Sequence, residues 1–277
     1  VIALTKTHVY VASASTCAIT SRCGQLKIVD IANPASPRII SQLLLSRAAP
    51  PFAGTATSPV AAKSILYRNG YVYLGLEQTP TLSGQEFNRI DVRDPLNPLW
   101  VNGFRVGRTI NDITVREGRV YLATNARAVA DVLVLDVLGM QEIGRVTLPP
   151  LQPTSSFGYA HVLGLFDTEL HIGRSYISNA DEWVIADVTH PSTYTSRNIG
   201  TTLSPASARA LILRETQALL VTSNKLEVWD RSDSDDPHLI SSHTIRGDVT
   251  DAVCVGNVVY VTSNEAGAGV LTKISAP

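Results

Sequence analysis

Several classes of protein are excluded by what this 277-residue sequence lacks. Lysine plus arginine (23) nearly balances aspartate plus glutamate (24), so no basic surface is indicated that would bind nucleic acid or an anionic membrane. No apolar run approaches the roughly 18 residues of a transmembrane helix, which argues against membrane insertion. Aromatic residues make up only 6% of the chain, which is few for stacked platforms that bind sugars or single-stranded nucleic acid.

The common catalytic signatures are also missing. The sequence has no GxSxG nucleophile elbow, no P-loop, no HExxH pair and no GxGxxG after a strand. It has no CxxC pair either, so a cysteine metal site is not indicated. We therefore expect no cofactor and no metal, and no catalytic residue is assigned. Apart from His161, the histidines fall on strands or turns with no partner evident from spacing: His8, His171, His190, His238 and His243.

Cysteine is rare, with three in the chain. Cys17 and Cys23 lie six positions apart in a segment of small residues between two strand-like runs. A disulfide between them would favour an oxidising location outside the cytoplasm, on the cell surface or secreted, and the alternative is two reduced loop thiols. Cys254 is expected to be a small core residue. Because the sequence begins at Val1 and no signal-peptide pattern follows, we expect a mature product or part of a longer chain.

What the sequence does contain is a repeat of short β-branched runs separated by Gly, Pro, Asn and Asp. A second run in each unit ends in aspartate, and the sixth unit is expected to carry Lys273 at that place. Because a turn follows each aspartate, we expect these carboxylates to accept backbone N–H groups rather than to act in catalysis. The first run recurs at Val9–Ser13, Val72–Leu76, Val120–Thr124, Leu170–Gly173, Leu219–Ser223 and Val259–Ser263. The aspartates are Asp30, Asp91, Asp136, Asp187 and Asp230.

Each unit has four strand-like runs over about 40 to 60 residues, the period of a propeller blade. We count five full units and a sixth that stops after its third run. The sequence therefore predicts an all-β protein, a single β-propeller domain over 1–277 with six four-stranded blades, the last incomplete. Seven blades are the alternative if outside strands contribute. The expected blades are 1–50, 51–105, 106–152, 153–203, 204–246 and 247–277.

Leu26-Lys27-Ile28-Val29-Asp30 followed by Asn33-Pro-Ala-Ser-Pro37 resembles the LVIVD-repeat family of bacterial and archaeal β-propellers. The resemblance extends over essentially the whole chain, and departs from the motif at Arg89–Asp91 and in the sixth unit. It implies a propeller in a surface or secreted protein. Because the motif is structural, it implies no catalytic residues.

Ligands of propellers usually lie near the axis, where the innermost strands begin. Aligning the units places Lys63, Asn111, His161, Ala210 and Thr250 at one level, Asp112 and Asp251 at the next, and Tyr159 and Arg209 just before. Such a ring could bind a polar ligand, an ion or a glycan, or could line a water-filled channel with its charges paired. A divalent cation between His161, Asp112 and Asp251 is a weaker hypothesis. The candidate ligand-binding residues are Lys63, Asn111, Asp112, Tyr159, His161, Arg209 and Asp251.

The expected function is a non-enzymatic module that binds a protein or glycan. Long connections at Thr16–Gly24, Glu77–Asn88 and Arg174–Glu182 would cluster on one face, where recognition is commonly found. One alternative is a structural subunit of an extracellular assembly, with self-assembly through the incomplete sixth blade. Another is a carbohydrate-active hydrolase or lyase with an axial site, since fold alone does not fix function.

Overall fold

The computed structural model describes residues 1–13, 25–45, 60–78, 85–125, 131–148, 159–175, 183–189, 196–199 and 207–275. These residues form 23 strands in six antiparallel sheets that follow one another along the chain. Five sheets have four strands and the sixth has three, all in meander order. The fold is a six-bladed β-propeller, which confirms the fold predicted from the repeat.

The first three blades have the same order of strands. Blade 1 contains β1 (Ile2–Leu4), β2 (His8–Ala12), β3 (Leu26–Asp30) and β4 (Arg38–Leu43). Blade 2 contains β5 (Ala62–Arg68), β6 (Tyr71–Leu76), β7 (Phe87–Asp91) and β8 (Leu99–Phe104). Blade 3 contains β9 (Ile110–Arg116), β10 (Arg119–Thr124), β11 (Asp131–Asp136) and β12 (Glu142–Thr147).

The last three blades continue the pattern, and only the sixth differs in strand number. Blade 4 contains β13 (Ala160–Phe166), β14 (Glu169–Arg174), β15 (Trp183–Asp187) and β16 (Ser196–Ile199). Blade 5 contains β17 (Ala208–Leu213), β18 (Gln217–Thr222), β19 (Lys225–Asp230) and β20 (His238–Thr244). Blade 6 contains β21 (Asp248–Val255), β22 (Val258–Glu265) and β23 (Ala268–Ser275).

Each blade has two ends. We call the upper end the one at which the first strand begins and the second strand finishes. At the lower end the first strand turns into the second, and the aspartate-containing turns follow the third strand. The antiparallel order fixes this assignment, because successive strands run in opposite directions.

The chain divides into two compact units, Val1–Asn125 with Val134–Glu142 and Ala126–Leu133 with Ile143–Pro277. In the first unit, one core is formed between blades 1 and 2 around Ile28, Leu74 and Ile90. In the second unit, Trp183 and Trp229 belong to a core between blades 4 and 5. A further core packs one side of blade 6 against blade 5.

The second strands explain why the recurring runs do not alternate between apolar and polar residues. After their first position, β6, β10, β14 and β18 are buried at every residue. A strand with sheet neighbours on both sides and packed blades on both faces has no solvent-facing side, so a continuous run of apolar or small residues is favoured.

The repeated aspartates cap turns, as expected. Oδ1 of Asp30, Asp91 and Asp230 accepts the backbone N–H two residues later at 2.8–3.0 Å. Asp136 accepts the amide of Gly139, and Asp187 accepts that of Thr189 at 2.9 Å.

Three of these carboxylates have a lowered pKa. The Arg93 side chain lowers the pKa of Asp91 to about 2, with the Arg93 amide adding to the effect. The amide of Ala32 lowers the pKa of Asp30, and the Ser232 hydroxyl lowers that of Asp230.

One detail of the repeat was wrong. Four of the aspartates pair with the first residue of the second strand of their blade: Asp30 with His8, Asp91 with Tyr71, Asp187 with Glu169 and Asp230 with Gln217. In blade 6 the residue opposite Val258 is Ser275, whereas Lys273 lies two positions earlier, opposite Tyr260. Ser275 therefore replaces the aspartate in the sixth blade.

Some of the sequence-based expectations concern residues outside the described ranges. The expected Cys17–Cys23 disulfide lies there, as do Thr16–Gly24, residues 79–84 of the second connection and residues 176–182 of the third. Cys254 is a free thiol whose Sγ lies 3.2 Å from the carbonyl of Gly256 and accepts from Arg214. Within the described residues no helix is both long and apolar enough to cross a membrane.

Candidate functional site

A β-bulge recurs at the upper end of five first strands. In β5, Ala62 and Ser64 pair with consecutive residues of β6, so Lys63 is inserted between them. The same break in register occurs in β9, β13, β17 and β21. A bulge leaves its extra residue out of the ladder and redirects that side chain, which makes these positions suited to recognition. The inserted residues are Lys63, Asn111, His161, Arg209 and Thr250.

The bulge corrects the sequence alignment in blade 5. Ala208 pairs with Thr222 and Ala210 pairs with Val221, so the inserted residue is Arg209. Ala210 was placed one position too far along, and it is buried. Tyr159 precedes its strand by one residue, and Asp112 and Asp251 each follow an inserted residue directly.

A short sequence pattern marks the bulge. The residue before each insertion is apolar and no more than 8% exposed, whereas the inserted residue is polar in every case. The preceding residue belongs to the core between blades, and it anchors the strand just before the backbone departs from the ladder. The buried residues are Ala62, Ile110, Ala160, Ala208 and Val249.

In the first unit the upper end presents Lys63, whose Nζ lies 3.6 Å from Oε2 of Glu77. Both side chains are partly exposed, and such an ion pair stabilises the fold by little. In blade 3, Asp112 follows the bulge, and its Oδ1 accepts the amide of Ile113 at 2.8 Å. This carboxylate is therefore held by its own strand.

Two buried side chains support this end of the first unit, and the sequence did not single them out. Oε2 of Glu86 accepts the amides of Val106 and Gly107 at 2.7 and 3.0 Å. Oε1 of Gln25 accepts the amide of Leu45 at 3.0 Å. Each side chain precedes a third strand and holds the backbone that leaves its blade, so the pair fixes where the next blade begins.

In the second unit the upper end brings together His161 from blade 4 and Arg209 from blade 5. Nη2 of Arg209 lies 3.3 Å from Oδ1 of Asp248, while its Nε is buried with no hydrogen-bond partner among the described residues. Nδ1 of His161 is likewise buried and unpaired within the described part of the chain. The ring of Tyr159 lies 6.4 Å from the His161 ring, centroid to centroid.

Burial lowers the pKa of His161, and the positive charge of Arg209 lowers it further, whereas the backbone carbonyl of Ala208 acts in the opposite direction. The imidazole is therefore neutral at pH 7, with one nitrogen able to accept a hydrogen bond. Arg209 presents an N–H donor beside it. Among the described residues the pair thus leaves one acceptor, Nδ1 of His161, and one donor, Nε of Arg209, buried without a partner.

Blade 6 contributes Thr250 and Asp251. Oγ1 of Thr250 lies 2.8 Å from Oγ1 of Thr262, and Oδ1 of Asp251 accepts the amide of Ala252 at 2.8 Å. Desolvation by the surrounding protein raises the pKa of Asp251, and the Ala252 amide opposes this shift. Asp251 and Asp112 have the same local geometry, so the repeat produces the same carboxylate arrangement twice.

The cation hypothesis for His161, Asp112 and Asp251 is not supported by the geometry. Within the described ranges no group of three or more His, Cys, Asp or Glu side chains is arranged to hold a metal ion.

No partner of His171 was evident from sequence spacing, but the structure shows two in the second unit. Nε1 of Trp183 donates to Nδ1 of His171 at 3.2 Å, and Nε2 of His171 lies 3.3 Å from Oε2 of Glu169. Nη2 of Arg231 donates to the same Glu169 oxygen at 3.0 Å and links blade 5 to blade 4. His171 is fully buried, so this network is structural rather than a ligand site.

Comparison with solved structures supports the fold. The chain is similar to BamB from Moraxella catarrhalis, with a TM-score of 0.54 and 14% identity over 89% of this chain and 69% of that one. It is also similar to the β-propeller domain of Cps50 (Swd1) from Myceliophteria thermophila, with a TM-score of 0.54 and 11% identity over 78% of this chain and 65% of that one. At such identities the likeness establishes the fold alone. No protein-family model and no curated protein matches the chain.

Proposed function

We propose that the chain is a non-enzymatic interaction module whose upper end binds a protein partner. The observation that carries the proposal is the pair of bulged residues His161 and Arg209, each with a buried polar nitrogen that lacks a partner among the described residues. An unpaired buried polar group is costly, and a partner that supplies a hydrogen bond removes that cost on binding.

The composition of this surface suits a protein partner. Arginine and tyrosine are the residue types that contribute most to protein interfaces, and Arg209 and Tyr159 both lie at this end of the second unit. The connections between second and third strands leave from the same end, at residues 13–25, 77–86, 125–130 and 175–182. A rigid sheet that carries variable connections is a common recognition scaffold.

A paired set of double variants tests this proposal. The variant His161→Ala/Arg209→Ala removes the upper-end pair, and Arg38→Ala/His238→Ala removes one arginine and one histidine that are 76% and 68% exposed at the lower end. Immobilised wild-type protein and the lower-end variant should capture the same partner from native extract, and the upper-end variant should lose it. Equal capture by all three proteins would contradict the proposal. It would also be contradicted if the wild type turned over a polysaccharide and the upper-end variant had lost that activity.

We also infer that the chain belongs to the LVIVD-repeat proteins and acts outside the cytoplasm. The repeated aspartate turns support the first inference, and the spacing of Cys17 and Cys23 supports the second. Intact mass spectrometry of the natural protein tests the location, because a disulfide predicts a gain of about 2 Da on reduction. An unchanged mass would contradict an oxidising location.

Blade 6 favours a second candidate function, as a subunit of an extracellular assembly. Val253, Val255 and Leu271 are 55%, 62% and 66% exposed in this three-stranded sheet. Exposed apolar side chains beside an edge strand are typical of a surface that pairs with another chain. Sedimentation of the wild type should show an oligomer that Leu271→Lys dissociates, and a wild-type monomer at high concentration would exclude this role.

A further inference from the structure

A groove at the lower end of the first unit has no role in the proposal above. It lies between the β1–β2 turn of blade 1 and the lower end of blade 2, and its volume is about 600 Å³. That volume is within the range of small-molecule sites. Its lining combines apolar residues, hydroxyl groups and cations, including Leu4, Lys6, Tyr10, Tyr67 and Arg93.

Two tyrosines from neighbouring blades stack in the groove wall. The rings of Tyr10 and Tyr67 lie 5.0 Å apart at 7° to each other. Composition had suggested too few aromatics for such a platform, but the fold stacks two tyrosines that are distant in sequence. Tyr10 is only 3% exposed, yet neither hydroxyl has a hydrogen-bond partner among the described residues. Tyr67 is half-buried and neither hydroxyl is a buried unpaired atom, so both hydroxyls reach solvent and are open to a ligand.

The groove contains two positive side chains, an exposed lysine, Lys6, and an arginine, Arg93, that is paired with Asp91. Lys6 lies in a turn that Thr5 stabilises, because Oγ1 of Thr5 accepts the amide of His8 at 3.0 Å. Lys6 forms no ion pair within the described part of the chain. Arg93 is fixed by Nε–H bonds of 3.0 Å to Asp91. Gly70 makes room for it, since a Cβ at that position would lie 2.5 Å from Cγ of Arg93.

These groups fit one kind of ligand. Lys6 supplies an uncompensated positive charge, the two tyrosine hydroxyls supply hydrogen bonds, and Leu4, Val92 and Pro95 supply apolar surface, while the Thr7 hydroxyl lies 2.9 Å from Nδ1 of His8 and is already paired. A sugar acid carries a carboxylate, several hydroxyl groups and an apolar C–H face. An acidic peptide side chain would use the cations but would leave the tyrosine hydroxyls without partners. We propose that this groove binds an acidic sugar, a hexuronate unit whose carboxylate pairs with Lys6.

Burial, together with the neighbouring Tyr67, raises the pKa of Tyr10 to about 12. Its hydroxyl therefore stays protonated and can donate to a sugar oxygen over the whole physiological range of pH. This shift supports the geometry and is not required for it.

Calorimetric titration of the full chain with digalacturonate tests the proposal, with lactose as the neutral sugar and diglutamate as the acidic peptide. Tyr67→Phe keeps the stacked ring and removes one hydroxyl, and Lys6→Gln removes the free charge. Each should weaken digalacturonate binding about tenfold, the usual effect of one lost hydrogen bond to a charged or buried group. Lys273→Gln, a matched change on exposed β23, should have no effect.

Any of three results would overturn the proposal: no binding of digalacturonate, equal binding of lactose, or diglutamate binding as tight as digalacturonate. Thermal unfolding of each variant serves as the check on folding, and both groove variants should melt within a few degrees of the wild type. Since this groove lies at the lower end, a failure to bind digalacturonate would leave the proposal for the upper end intact.

Discussion

At the residue scale, the upper end is defined by five side chains that the backbone displaces from the ladder. The sequence placed four of them correctly and missed Arg209 by one position. Hydrophobic alternation cannot reveal an inserted residue, because Ala208 and Ala210 are both small and both buried. What the sequence could not predict was contact between distant residues, such as Arg209 with Asp248, 39 positions later.

The pKa of His161 leads to a prediction about stability and pH. Its folded-state pKa lies below the ordinary value of about 6.5, so the unfolded chain binds the proton first as the pH falls. The free energy of unfolding should therefore decrease below about pH 6.5. Urea unfolding at pH 7, 6 and 5 should show a steeper loss for the wild type than for His161→Gln.

The control for this experiment is His243→Gln, which changes an exposed histidine of β20. It should keep the pH dependence of the wild type. Parallel curves for the wild type and His161→Gln would mean that burial and Arg209 do not act on His161 as described.

At the scale of the element, the blade is the unit that the sequence predicts best. The aspartate turns and the four-strand period both follow from local chemistry, since Asp and Asn accept nearby amides and Pro restricts the backbone. The sixth blade was harder to align because Ser275 replaces the aspartate there, and Lys273 was taken for the position that Ser275 occupies. Local signals thus align a blade only where the aspartate is present.

Close packing between blades makes Gly173 of β14 a sensitive position. A Cβ there would lie 2.5 Å from Cγ2 of Val162 and 2.7 Å from Cβ of Ala208 in the next blade. Gly173→Ala should lower the free energy of unfolding by about 1–3 kcal/mol, because both neighbours belong to a packed core. Denaturant unfolding measures this change.

Gly269→Ala in β23 is the matched control, because no atom lies within 4 Å of the added methyl group. Its effect should stay within about 0.5 kcal/mol. Equal effects of the two substitutions would show that the contact between blades 4 and 5 is looser than described.

At the scale of the whole molecule, the repeat determines the fold, and the proposed function rests on a few positions that break its regularity. The structural aspartates recur in five blades at the lower end, whereas the inserted residues differ in chemistry from blade to blade. A constant frame with variable side chains at one end is what a recognition module requires. Function could not be read from the repeat because the repeat encodes only the frame.

The most direct test of the central claim is site-specific photo-crosslinking to the captured partner. A photoreactive residue at position 250, an exposed bulge position of blade 6, is compared with the same residue at position 240, where Ile240 is 48% exposed on the outer strand of blade 5. Binding at the upper end predicts a crosslinked partner from position 250 and none from position 240. Crosslinking from position 240 alone, or equally from both, would contradict binding at the upper end.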